Sequence, residues 1–264
     1  MEASSHADVT ARLRAAGCVF AEDEAHLLID QARTAAQLAV LVARRVEGHP
    51  LEHILGWVDF CGIRVSVAPG VFVPRRRTEA MVAEAVRLLG AWTGTAPAVV
   101  ADLCCGCGAV GIAIATAVGP VELHMSDIDD TAVACAAANV GERGAVHQGD
   151  LFAALPQTLR GRVVVMTANV PYVPSESIAL MPPEARLYEP RAALDGGADG
   201  FDVVRRVAAD ASAWLAPGGH VLVETGRDQV AAAVQIFAGQ GLASRPVRDE
   251  QRDATVIVAT RVAG

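Results

Sequence analysis

The sequence predicts an α/β protein: a Rossmann-like, seven-stranded mixed sheet, preceded by a small helical domain and a β-hairpin connector. Three observations carry this. Strand-like and helix-like patterns alternate from about residue 76 onward, as in a parallel sheet with crossover helices. The last two strand candidates are separated only by "RDEQRD", too short for a helical crossover, so that pair is antiparallel. The first forty or so residues are instead rich in alanine and leucine at helical spacing.

Taken in order, "EDEAHLLIDQA" and "AAQLAVLVARRVEG" read as helices, the second closing on a glycine suited to a helix C-cap. They place a helical domain over residues 1–57. In "PLEHILGWVDFCGIRVSVAPGVFVP", the alternation of "IRVSV", the turn-forming "APG" and the extended "VFVP" predict a β-hairpin, which sets the connector at 58–75 and the main domain at 76–264. Strands are expected over 98–103, 121–127, 145–149, 162–168, 219–225, 243–247 and 254–260, with helices that include "DTAVACAAANVGE" and "DQVAAAVQIFAG".

Composition narrows the class. Of the 264 residues, 52% are hydrophobic, enough for a sizeable core. Apolar runs are interrupted by Arg, Asp or Gly well before the roughly 18 residues of a membrane span, and the N-terminus lacks an apolar signal core, so a cytoplasmic protein is expected. A formal net charge of −8 argues against bulk-charge binding to nucleic acid. The one basic cluster, Arg75, Arg76 and Arg77, reads equally as a solvated turn or a contact for an anionic partner. The six cysteines, three of them in "CCGC", do not form a disulfide framework and lack zinc spacing; reduced thiols and no metal are expected. His53, His124, His147 and His220 fall in or beside strand-like segments and read as structural imidazoles.

The first chemical motif is "VVADLCCGCGAVGIAIA". A strand ends near Asp102, and Gly106 and Gly108 then open a helix, a loop whose backbone can approach a ligand. The next strand ends in "SDID", putting Asp127 roughly 20 residues beyond Gly108, where a carboxylate accepts ribose hydroxyls. This is a nucleoside-binding pattern. "GCGAVG" also satisfies the dinucleotide string, so glycine spacing does not separate nicotinamide cofactors from S-adenosylmethionine. Asp102 four residues before Gly106, a further acidic strand end at "QGDLF" and the antiparallel final pair favour S-adenosylmethionine. Cys104, Ile128, Asp150 and Leu151 join the expected cofactor set, Asp150 beside the adenine amine and Leu151 against its ring.

The apolar strand "RVVVM" runs into "TANVPYVP". "NVPY" resembles the N-P-P-Y motif at the end of the fourth strand of class I methyltransferases. "PLEHILGWVDFCGIRVSVAPGVFVPRRRTE" and "LYEPRAALDGGADGFDVVRR" resemble the protein-glutamine methyltransferases that modify peptide-chain release factors, the HemK/PrmC family, over residues 50–260. The resemblance implies a class I methyltransferase fold, S-adenosylmethionine, and the glutamine of a release factor's Gly-Gly-Gln motif as substrate. The chain departs from the family pattern at Cys104, which stands in a glycine-rich loop, at Val170, which replaces the first proline of N-P-P-Y, and at Arg76 and Arg77, which replace the proline and acid of P-R-P-E-T-E.

An amide nitrogen is a poor nucleophile, because its lone pair is delocalised into the carbonyl. A site must therefore align it with the methyl group. The Asn169 side-chain oxygen and the Val170 backbone carbonyl are the expected acceptors for the two amide hydrogens. Tyr172 packs against the flat amide in this reading, and Pro171 holds the turn. Asn169 also borders the cofactor, and no general base is assigned. Glu224, and Glu189 with Arg191, read as structural ion pairs or solvated ends. Three functions remain open: a protein-glutamine methyltransferase, a methyltransferase for an exocyclic amine of RNA or DNA, and a non-catalytic nucleoside-binding module. The acidic balance weighs against the second; Asn169 and Tyr172 weigh against the third.

Overall fold

The computed structural model describes residues 5–262; the outermost residues of the first and last expected domains lie outside them. Four helices come first: α1 (His6–Ala15), α2 (Ala21–Gln31), α3 (Ala35–Val46) and the short α4 (Leu51–Leu55). Ser5 caps α1 in a capping box with Asp8, and Thr34 caps α3 by accepting from the Gln37 amide. Gly48 takes φ 91° just beyond α3, the left-handed backbone that ends a helix most cheaply with glycine. Val9, Leu13, Leu28, Leu41 and Val42 bury the apolar faces of these helices in a core of their own.

The expected hairpin exists, but its turn is elsewhere. β1 (Trp57–Phe60) pairs antiparallel with β2 (Ile63–Ser66) around Cys61 and Gly62, whose φ values of 50° and 75° match the two positive-φ positions of a tight hairpin turn. "PLEHIL" is the helix α4, and "APG" turns the chain into an extended segment that joins no sheet. Alternation in "IRVSV" marked one strand correctly; the "CG" turn assigned its partner to the upstream side. The boundary drawn after residue 57 consequently cuts β1.

The main domain runs α5 (Glu79–Gly90), β3 (Val99–Leu103), α6 (Ala109–Val118), β4 (Glu122–Asp127), α7 (Asp130–Val140), β5 (Ala145–Gln148), β6 (Val163–Ala168), α8 (Pro183–Tyr188), α9 (Asp202–Trp214), β7 (Leu215–Glu224), α10 (Val230–Gly239), β8 (Leu242–Asp249) and β9 (Ala254–Arg261). The sheet order is β5-β4-β3-β6-β7-β9-β8. The first five of these strands are mutually parallel, and β9 is antiparallel to both β7 and β8. Every residue of β3 and β6 is buried, as central strands covered on both faces require. One face packs against α5, α6 and α7, and the other against α9 and α10 through residues such as Val207, Trp214 and Phe237. Pro246 sits in β8, an edge strand, where its missing N–H is tolerated. The chain order reverses on either side of β3, so a crevice opens at the carboxyl ends of β3, β4 and β6.

The domains are tied by polar contacts. Arg45 on α3 is largely buried and bonds Glu24 (2.6 Å), Glu184 of α8 (2.9 Å) and the His49 carbonyl (3.1 Å). Asn139 on α7 pairs with both backbone groups of Ser66 and with the Cys107 carbonyl, fastening the hairpin to the glycine loop. The four histidines occupy structural positions: His53 Nε2 lies 2.8 Å from the Val71 carbonyl, His220 bonds Thr260, and His124 and His147 stack. All six cysteines are free thiols. Among the described residues no helix is long and apolar enough to cross a membrane.

Removing Arg45 leaves Glu24 buried without its partner, so Arg45→Met is expected to cost about 3 kcal/mol in denaturant unfolding. Arg227→Ala, which breaks an exposed pair with Asp253, is expected to cost under about 1 kcal/mol. Gly111 on α6 faces the sheet at close range: a Cβ there would lie 2.8 Å from Met125 Sδ and 3.2 Å from Asp102 Oδ2. Gly111→Ala is therefore expected to lower stability by about 1–3 kcal/mol in the same measurement.

Candidate active site

A cavity of about 250 Å³ lies at the carboxyl ends of β3, β4 and β6. Asp102, buried in β3, accepts from Thr167 of β6 (2.7 Å) and from the Gly111 amide of α6 (3.0 Å). Burial pushes its carboxyl up to about 7, and the two donors oppose that shift. The loop that follows turns through positive φ at Cys104 (53°), Gly106 (55°) and Gly108 (81°), and the Cys105 amide bonds the Ser126 carbonyl. Cys104 holds a left-handed conformation that costs a side-chain-bearing residue about 1 kcal/mol, the physical reason glycine suits this position. Burial, reinforced by the charge of Asp127, raises the Cys104 thiol and keeps it neutral.

Asp127 ends β4. Its Oδ2 accepts the Gly106 amide (2.8 Å) and its Oδ1 the Asp129 amide (3.0 Å), so the carboxylate is fixed in place with lone pairs left for a ligand's hydroxyls. Ile128, 64% exposed, covers the cavity beside it. Asp102, Cys104, Gly106, Asp127, Ile128, Asn169 and Pro171 all line this one cavity, and Gly108 forms the bend between the loop and α6. Of the expected substrate residues, Val170 and Tyr172 do not line it, and two expected cofactor residues are not brought in either. The Asp150 carboxylate pairs with Arg206 of α9, and Leu151 is buried in the core alongside Phe152; neither lines the cavity. A cation on α9 and an apolar core compete for them, which strand-end spacing cannot reveal.

Asn169 directly follows β6. Its side chain lines the cavity and makes no hydrogen bond among the described residues. Val170 is buried against the core, and Tyr172 donates its hydroxyl to Glu224 (2.9 Å). The loop is clamped from outside by residues 194–201 and by Gln229: Val173 N bonds the Leu194 carbonyl, Gly196 N the Val173 carbonyl, and Gln229 Nε2 the Tyr172 carbonyl. A Cβ on Gly196 would stand 2.8 Å from the Pro171 carbonyl, and one on Gly200 would collide with that of Tyr172. The glycines of "ALDGGADGF" thus let two loops meet backbone to backbone.

The sequence reading missed the walls. Val71, Phe72 and Pro74 form one, and Pro190, Ala192 and Ala193 the other. Two buried carboxylates hold them. Glu189 accepts Arg75 on both oxygens (2.6 Å each), and Glu224 accepts Arg77 and Thr78 (2.7 Å each). Arg75 and Arg77 therefore serve ion pairs, Arg77 while about half exposed, whereas Arg76 is exposed and makes no ion pair among the described residues. Glu189 pairs with Arg75 rather than Arg191, whose partner is Asp195. The signal was present, since both walls lie in the segments singled out by the resemblance, but their sequence separation hid the pairing.

The residues fit a nucleoside-bearing methyl donor. One fixed carboxylate stands at a glycine loop, apolar walls flank it, and an unpartnered side-chain amide faces the same space. A family model described as "Methyltransferase small domain" matches residues 63–173. A release factor glutamine methyltransferase of Geobacter sulfurreducens is 37% identical over 206 residues, covering 76% of this chain and 69% of that protein. A 4-amino-L-phenylalanine/4-methylamino-L-phenylalanine methyltransferase of Streptomyces pristinaespiralis is 34% identical over 203 residues, covering 76% of this chain and 69% of its own. The N-terminal domain of human METTL16, solved in complex with SAH, superposes with a TM-score of 0.56 at 12% identity, covering 92% of this chain and 83% of that one; it shares the fold. With the cavity, the clamped "NVPY" loop and these identities together, the chain belongs to the release factor glutamine methyltransferase family.

Proposed function

We propose that this protein transfers a methyl group from S-adenosylmethionine to the side-chain amide nitrogen of a protein glutamine, that of the Gly-Gly-Gln motif of a translation release factor. The observation that carries this reading is the unpartnered Asn169 amide in the same cavity as the fixed carboxylate of Asp127. The name of the Geobacter sulfurreducens relative supports the substrate. A partner that works at the ribosome also carries a cytoplasmic location.

Asp102, Cys104, Gly106, Gly108, Asp127 and Ile128 would hold the cofactor, Asp127 through the ribose hydroxyls. The bound cofactor supplies an electrophilic methyl group on a sulfonium. Asn169 Oδ1 and the Val170 carbonyl accept the two hydrogens of the glutamine amide, which directs the nitrogen at the methyl carbon. These acceptors favour the positive charge that grows on nitrogen as the N–C bond forms and the C–S bond breaks, with the electron pair leaving on sulfur. The methylated nitrogen is strongly acidic and passes its proton to water, so no side chain serves as base. Pro171 and the clamp over residues 194–201 keep the acceptors in place before reaction.

Purified wild-type protein is expected to place tritiated methyl on the glutamine of a release factor, and Asn169→Ala to lose at least about 100-fold in rate. Transfer only to an aromatic amine such as 4-amino-L-phenylalanine, or only to nucleic acid, would overturn the reading. Asp127→Ala is expected to weaken calorimetric binding of the demethylated cofactor by roughly 10- to 100-fold, because a charged acceptor is lost. Unchanged binding would remove Asp127 from the site.

A further inference from the structure

Glu224 ends β7 with its side chain 2% exposed, yet it accepts from three different donors. Arg77 Nε lies at 2.7 Å, Thr78 Oγ1 at 2.7 Å and the Tyr172 hydroxyl at 2.9 Å. Arg77 also stands over the Tyr172 ring, 5.7 Å from its centroid. Tyr172 belongs to the loop that presents Asn169 and Pro171 to the cavity. We propose that Glu224 is the residue that positions Tyr172 for methyl transfer, and that Arg77 supplies the charge that keeps the buried carboxylate in place.

A tyrosine ring attached only through its backbone can swing about two side-chain torsions; a hydrogen bond at its far end removes that freedom. A carboxylate buried to this degree persists only when it is paired and hydrogen-bonded, and Arg77 and Thr78 meet that requirement from the segment before α5. The ring is thus held from both ends, by the clamped backbone at the Tyr172 carbonyl and by Glu224 at the hydroxyl. This gives the departure at position 77 a physical role. An arginine where the family motif carries an acid lets Glu224 be neutralised within the protein. A neutral glutamine amide then meets a wall with no net charge from this pair. The neighbouring Arg75–Glu189 pair holds the other wall and makes no bond to Tyr172.

The inference rests on the glutamine reading for its kinetic readout, and a second readout does not. Tyr172→Phe, Glu224→Gln and the double variant are compared for methyl transfer to release factor and for calorimetric binding of the demethylated cofactor. Each single substitution is expected to lower kcat about tenfold with cofactor Kd within about twofold, and the double variant to be no slower than the slower single, because residues acting as a unit are not additive. Arg77→Lys should retain more activity than Arg77→Met. Losses that multiply, or full activity in Tyr172→Phe beside a slow Glu224→Gln, would overturn the proposal. If Glu224→Gln fails to fold, Arg77→Met takes its place in the cycle.

The second readout uses the fact that the chain has two tyrosines. In a Tyr188→Phe background, the ultraviolet titration of tyrosinate reports Tyr172 alone. Burial and the charge of Glu224 hold this phenol's pKa high, so Glu224→Gln should move the titration to lower pH. An unmoved titration, with the fold intact by circular dichroism over the same pH range, would sink the contact. A wild-type protein inactive on glutamine would instead defeat the substrate reading and leave the titration result standing.

Discussion

The buried carboxylate of Asp102 is the constraint on which the rest of the site depends. It joins three elements at one point: the strand that carries it, Thr167 on the neighbouring strand and the Gly111 amide at the start of α6. Those bonds place the first turn of α6 against the sheet and hold β3 and β6 together just where the chain order reverses. The cavity forms beyond that point because the loops leaving β3 and β6 turn to opposite sides. A carboxyl pushed up to about 7 by burial is a costly group to keep there, and it persists because its two donors are fixed by the fold.

Around this point the molecule uses buried and half-buried acids as fasteners. Asp127 holds the glycine loop, Glu189 one wall of the cavity, and Glu224 the wall and the tyrosine of the motif loop. Each accepts donors from segments distant in sequence. Arg45, between Glu24 and Glu184, extends the same device to the helical domain, since Glu184 belongs to the stretch that returns as the Pro190–Ala193 wall. The helical domain and the cavity are therefore mechanically connected through one segment.

The departures from the family pattern find physical accommodation. Cys104 adopts the left-handed backbone that glycine would take more easily, and its half-buried thiol stays neutral beside Asp127. Val170 fills apolar space, and its carbonyl has no partner among the described residues. Arg77 meets Glu224, so the charge introduced at the motif is answered inside the protein.

Much of this was legible in the chain itself. Alternating apolar patterns located all seven strands of the sheet, and the short "RDEQRD" link required an antiparallel final pair. Glycine, acid and asparagine at strand ends named the strand-end part of the cavity lining but not its walls, because crossover topology sends those ends to one edge. Local pattern also misled: "APG" looked like the hairpin turn, while "CG" made it. Asp150 and Leu151, expected as ligand contacts from their strand-end position, do not line the cavity; Asp150 pairs with Arg206 and Leu151 packs in the core. Pairing is where the sequence stopped. It determined the strands, their directions and the residues at their ends, since these follow from periodicity and link length. Only the tertiary structure decided that Arg75 meets Glu189 and Arg77 meets Glu224, because contacts separated by more than a hundred residues depend on how the layers pack and leave no local trace.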